Sequence, residues 1–279
     1  MVMGPTHATS GAVAWLVAGG VTTAAFGYSQ SPAELAVYTT VCAGAALLPD
    51  LDVSGRVFRN RGGATAARVF GVVSLFVAEC VEKLSLGIYL LTRSRKDPRR
   101  RNGHRTFTHT LVFAVLLGAL LSFLVSKFGK PVMLATLFVT IGLAIRGVMA
   151  EWVKKRGWLV TTVLSLVVTV FAFAVLPADG YPLLGVAVGM GCLVHILGDM
   201  ITRHGCPLLW PIRIKGRNWY MISLPDRYAI RAGGKFERTV LLPGLTVVAC
   251  LAALWQLPAL REILFSVTDT PPPPVEAGD

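Results

Sequence analysis

His195 and Asp199 lie four residues apart inside an apolar run. On a helix, positions i and i+4 share one face. One imidazole and one carboxylate at that spacing reach the same metal ion, or two adjacent ones. Ionisable side chains in such a run are costly to bury in a bilayer and serve a site or a cavity by default. Asp50 and Asp52 flank Leu51 directly after Pro49. Read as an extended stretch, they point the same way and present two carboxylates to a divalent cation. His104 and His109 are five apart, poor spacing for one helix face. They work together with His104 in a loop and His109 in the first turn of the next helix, capped by Thr106 or Thr108. Arg105 then sits beside the site, where a guanidinium clamps a phosphoryl or carboxylate group. His7 lies near the start of the chain, just before an apolar run.

These residues make a ligand inventory of His7, Asp50, His104, His109, His195 and Asp199, with Asp52 as ligand, bridge or base. One catalytic zinc ion typically takes three protein ligands and a water, so the inventory is large enough for two ions sharing a carboxylate. A metal pair supplies hydroxide near neutral pH and stabilises an oxyanion or phosphoryl transition state. Mixed nitrogen and oxygen ligation suits zinc; manganese and iron use the same donors. His204 follows Arg203 in a polar loop and is placed outside the ligand set. Glu79 and Glu82 read as the charged face of an interfacial helix.

The elements that must position these groups are membrane helices. Of the 279 residues, 54% are hydrophobic and 15% charged, against roughly 25% charged in soluble domains. Mean hydropathy is +0.62. The apolar runs are continuous rather than alternating, which excludes a membrane β-barrel. The fold class is therefore all-α, a polytopic membrane bundle. Spans are predicted near 11–28, 35–49, 110–126, 131–150, 158–176, 182–201 and 239–257. Residues 1–258 form one embedded domain, and the Pro-rich acidic tail, 259–279, reads as disordered. The first basic residue is Arg56, so no cationic region precedes the first run. It reads as a retained helix rather than a cleaved signal. The five cysteines show no Cys-x-x-Cys spacing and read as small core residues.

The net charge of +12 does not point to nucleic acid, because Lys and Arg cluster in loops between the spans. Residues 51–68 hold four, 92–109 seven, 151–157 three and 202–238 eight, while the alternate connections hold none to two. The rich loops belong in the cytoplasm. The N-terminus is then cytoplasmic, the C-terminus outside, and the protein sits in the cytoplasmic (inner) membrane. Loops 51–68 and 92–109 both fall inside, so the apolar but charged segment 69–91 between them is predicted to lie in the interface or re-enter, with a true eighth span as the rival reading. With seven crossings, every candidate ligand falls on the cytoplasmic face.

The ordered islands resemble the YdjM-type family of membrane-bound metal-dependent hydrolases, associated with LexA regulation in some members. The matching residues are Thr6-His7 with Gly11, Leu48-Pro49-Asp50-Leu51-Asp52, His104-Arg105 with Thr108-His109-Thr110-Leu111, and His195-x-x-x-Asp199 with Thr202 and Gly205. Pro207–Pro211 continues the likeness, which covers about residues 3–215. The basic stretch 54–103 departs from it as an insertion. The family is thought to be distantly similar to zinc-dependent phospholipases C. The resemblance therefore implies hydrolysis of a phosphoester or phospholipid at the cytoplasmic membrane surface, with membrane lipids and anionic head groups as partners. Two rival classes are a metal or proton transporter and a scaffold stapled by a structural metal. Transporter sites lie near the bilayer midplane, and a structural ion is fully enclosed by protein ligands.

Overall fold

The computed structural model describes residues 2–53, 66–176 and 181–257. The predicted tail 259–279 lies outside them. The architecture is all-α. Nine α-helices are present among the described residues: α1 (Gly4–Phe26), α2 (Pro32–Ala45), α3 (Val72–Thr92), α4 (Leu111–Phe128), α5 (Lys130–Val148), α6 (Ala150–Arg156), α7 (Trp158–Val175), α8 (Leu184–Met200) and α9 (Leu242–Gln256). Six of the helical segments are long and apolar enough to cross a membrane, and α8 is a shorter apolar helix of the same kind. Their outer faces carry large exposed apolar side chains, such as Leu120 and Phe123 on α4, Val170 and Phe171 on α7, and Leu251 on α9. That is a lipid-facing surface, not a soluble one.

Local chemistry sets the helix ends. Ser31 and Glu34 form a reciprocal capping box at the start of α2, with Pro32 in its first turn, satisfying donors that the helix leaves unpaired. Thr110 caps α4 by accepting the Phe113 N–H at 3.1 Å. The cap is thus neither Thr106 nor Thr108, whose hydroxyls are committed elsewhere.

Small residues bring the helices together. A Cβ on Gly44 of α2 would collide with the backbone carbonyl of Thr140 on α5, and one on Gly191 of α8 with Cys42 of α2. Gly185 of α8 likewise meets the backbone of Gly118 on α4. In lipid no hydrophobic force drives helices together, so close backbone approach through small residues supplies the packing energy. The core lies among α1, α2 and α8, where Val41, Cys42, Val188, Cys192 and Ile196 are buried. All five cysteines are free thiols.

The segment 69–91 contains α3, whose polarity is reversed. Ser74, Glu82, Ser85 and Tyr89 face inward, while Val73, Phe76, Val77, Leu84 and Leu91 are exposed. Both ends of α3 join the end of the bundle that carries the histidines. Gly71 abuts Trp158 at the start of α7, and Thr92 accepts a hydrogen bond from Asn218.

Residues 202–236 form a largely irregular cap over the same end, held by short bridges between Thr202 and Ile230 and between Cys206 and Ile222. The buried carboxylate of Asp97 fastens this cap to the loop after α3. It accepts the N–H groups of Ser94, Asn218 and Trp219. Burial alone would raise its pKa; those hydrogen bonds overcome it and hold the group below the usual carboxylate range.

Candidate metal centre

Four elements deliver the predicted residues to one buried place. The first is the opening turn of α1, which carries His7, fully buried. That turn has no side chain of its own as cap. Glu237, from a π-helical turn before α9, does the work instead. Its Oε1 accepts the Met3 N–H at 2.6 Å and the Thr6 hydroxyl at 2.8 Å, and its Oε2 accepts the Gly233 N–H at 2.6 Å. A carboxylate at a helix N-terminus also complements the helix dipole. Glu237 escapes detection in the sequence because a lone acid before an apolar run looks like any polar helix end.

The second element is the turn after α2. Pro49–Asp52 forms a 3-10 turn, which corrects the extended reading of this pair. At three residues per turn, positions two apart diverge, and the two carboxylates separate in role. Asp50 joins the histidine groups. Asp52 instead collects donors: the His104 ring Nδ1 at 2.7 Å, the Arg105 N–H at 3.1 Å and the Thr108 hydroxyl at 2.6 Å.

The third element is the loop before α4. His104 lies in the loop and His109 ends the 3-10 turn Phe107–His109. Arg105 adopts a left-handed backbone, φ +56°, uncommon for a residue with a side chain. The twist points its N–H at Asp52 while its guanidinium reaches Asp199 (Nη2–Oδ2 2.6 Å) and the Gly205 carbonyl (3.1 Å). Burial would lower the His104 pKa, but the charge of Asp52 and its hydrogen bond raise it above the ordinary value.

The fourth is the last turns of α8, where His195 and Asp199 share one buried face as their spacing requires. His195 Nδ1 donates to the Ala46 carbonyl at 2.8 Å, which leaves Nε2 with its lone pair directed inward. His7 stacks on His195 with ring centroids 3.9 Å apart. Asp199 Oδ1 accepts the Val2 N–H at 3.2 Å.

Three overlapping groups result: His7, Asp50 and His195; Asp50, His104 and His109; and His109, His195 and Asp199. In each, the candidate ligand atoms lie within 4.8 Å of one another. Asp50, His109 and His195 each belong to two groups. The six residues of the predicted ligand set are all in them. Asp52 is in none, nor are Glu79, Glu82 and His204. Glu79 pairs with Lys83 on the α3 surface, and His204 is exposed.

The donor set fits a divalent ion. His109 Nε2 and His195 Nε2 face each other at 3.3 Å. Two nitrogens each about 2.0–2.1 Å from one tetrahedral zinc stand about 3.3 Å apart. His7 Nε2 comes no closer than 3.5 Å to Asp199 Oδ1, and Asp50 Oδ1 no closer than 3.6 Å to His195 Nε2; these buried atoms and His7 Nδ1 lack a hydrogen bond of ordinary geometry, which buried polar atoms rarely do. The outer nitrogens of His195 and His104 are held by a carbonyl and a carboxylate, the usual way a protein fixes a metal-binding imidazole. A cation among these atoms accounts for all three features.

Fold and site together define a multi-pass helical membrane protein with a buried His/Asp metal-binding centre of hydrolase-like type. Residues 1–261 match the family model described as YdjM inner membrane protein. The chain belongs to that family. No curated protein and no solved structure matches it.

Proposed function

We propose that the protein hydrolyses a phosphoester at the cytoplasmic face of the inner membrane, with His7, Asp50, His104, His109, His195 and Asp199 holding one or two divalent ions. The overlap of the three ligand groups through Asp50, His109 and His195 carries this reading. Six ligands exceed the need of one structural ion. Zinc suits the mixed donors, and manganese or iron would use the same atoms. Such an ion lowers the pKa of water and neutralises charge developing on phosphoryl oxygens.

The remaining residues have distinct tasks. Asp52 orients His104 and steadies the Arg105 and Thr108 backbone and side chain; its hydrogen bonds favour positioning over service as a base. Arg105 is pinned at both terminal nitrogens, and its buried Nε has no partner. That donor is available to an anionic substrate oxygen. A cavity of about 780 Å³, whose lining includes the charged side chains Asp50, Glu151 and Arg238, reaches the centre. It supplies water and argues against a sealed structural site.

The test combines metal analysis with hydrolysis of bis-p-nitrophenyl phosphate and of phospholipid vesicles, with zinc, manganese or iron added to stripped protein. Asp52→Asn is expected to weaken metal affinity roughly 10–100-fold, the usual cost of losing an orienting partner. Arg105→Lys is expected to keep the metal and slow turnover, since an ammonium cannot reproduce the guanidinium fork. Hydrolysis that survives chelation would remove the metal from the mechanism.

The orientation proposal has its own test. With exposed Cys80 and Cys250 replaced, Arg99→Cys should react with a membrane-impermeant maleimide only from the cytoplasmic side. Ser29→Cys should react only from the outside. Labelling of Arg99→Cys from outside would overturn the topology.

A further inference from the structure

A second large cavity approaches the centre and is apolar. It is a groove of about 790 Å³ between α3, α4 and α5. Leu117, Leu121 and Leu124 of α4 line it together with Val132, Ala135 and Val139 of α5. Its inner end is marked by Ser85 and Thr108. Thr108 is the residue that donates to Asp52 and contacts His109 Nδ1 at 2.9 Å. The groove therefore ends one residue short of the metal centre, at the hydroxyl-bearing Thr108.

Its walls extend along α4 from Phe113 to Phe128. At 1.5 Å per residue that is about 22 Å. One leaflet of a bilayer has about 15 Å of hydrocarbon, half of the ~30 Å core. The groove is long enough for a whole acyl chain. Two of its walls, α4 and α5, are long and apolar enough to cross the membrane, so its side opening meets lipid rather than water. The cavity that Asp50, Glu151 and Arg238 line provides the separate aqueous route.

We propose that this groove holds a fatty acyl chain of the substrate, entering sideways from the bilayer, with the lipid's phosphoester head at the metal centre. The proposal deepens the hydrolase reading and rests on it for the identity of the head. A chain that leaves bilayer hydrocarbon for an apolar groove gains little energy, because lipid tails are as apolar as the side chains. The groove thus sets the position of the head more than the affinity. It makes the enzyme discriminate lipid phosphoesters from soluble ones.

Ala135→Trp tests this. Ala135 is exposed in the groove wall, so the indole fills the groove without entering the core. Val170→Trp, on the lipid-facing side of α7, is the control. Protein is reconstituted in phosphatidylethanolamine–phosphatidylglycerol vesicles containing trace phosphatidylglycerol with a diazirine in its acyl chain. Photolabelled peptides are then mapped by mass spectrometry. Labelling should concentrate on the groove faces of α4 and α5, and Ala135→Trp should cut it roughly ten-fold, or about 1.4 kcal/mol, while Val170→Trp does not. Vesicle-lipid hydrolysis should fall with it and bis-p-nitrophenyl phosphate hydrolysis should not. Labelling spread evenly over all lipid-facing helices would mean ordinary surrounding lipid and would overturn the groove. Full lipid hydrolysis in Ala135→Trp would overturn it too, leaving the hydrolase reading intact. Groove labelling without hydrolysis under any metal would sink the hydrolase reading instead.

Discussion

His195→Ala is expected to leave the protein inserted and folded but with its divalent ion lost and hydrolysis abolished. His195 belongs to two of the three ligand groups, so one substitution opens both. Removing even an orienting partner costs metal affinity about 10–100-fold, and removing a shared ligand should exceed that. The fold should survive because alanine is a good helix former and α8 is held by Gly185, Gly191 and the apolar core. The imidazole contributes to packing mainly through its stack on His7. The measurement is metal content by mass spectrometry on purified protein, with circular dichroism as the fold control. Normal metal content and activity in a folded His195→Ala protein would take α8 out of the centre. The transporter and scaffold readings would then gain, though a site at helix ends rather than the midplane already disfavours transport.

Gly44→Val should do the opposite: damage the bundle first and the centre as a consequence. The added Cβ would overlap the Thr140 carbonyl carbon and oxygen, which are α5 backbone and cannot rotate aside. Relief requires α2 and α5 to separate. Overpacking of this kind costs about 1–3 kcal/mol, and more where backbone is the obstacle. The turn that carries Asp50 begins four residues after α2 ends, so displacement of α2 moves that ligand. A lower detergent melting temperature together with weaker metal binding is the expected result. An unchanged melting temperature would show that α2 and α5 do not pack as closely as the structure has them.

Much of the site is legible in the sequence because a bilayer makes polar residues conspicuous. His195 and Asp199 stand out in α8 because ionisable groups are rare in apolar helices. His7, Asp50, His104 and His109 follow from parity, since basic loops fix which helix ends share a face. The same count predicts that both ends of α3 share one side of the membrane. Its pattern alone would mislead, because it is apolar outward and polar inward.

The sequence by itself determined the class of the protein and the number of apolar helices within one or two, and it singled out the six residues that the fold gathers into the three groups. Those depend on hydrophobicity, charge and spacing, which are properties of short segments. Only the tertiary structure distinguished Asp50 from Asp52, gave Arg105 its left-handed turn toward Asp199, and revealed Glu237 as the cap of α1. Each of these rests on contacts between remote segments. Asp52 meets Arg105 across 53 residues, and Glu237 meets Thr6 across 231. Two chemically identical aspartates, two positions apart, take different roles solely through the partners that folding brings to them. The apolar groove is of the same kind: its residues are ordinary lipid-facing leucines and valines until α3, α4 and α5 enclose a space that ends at Thr108.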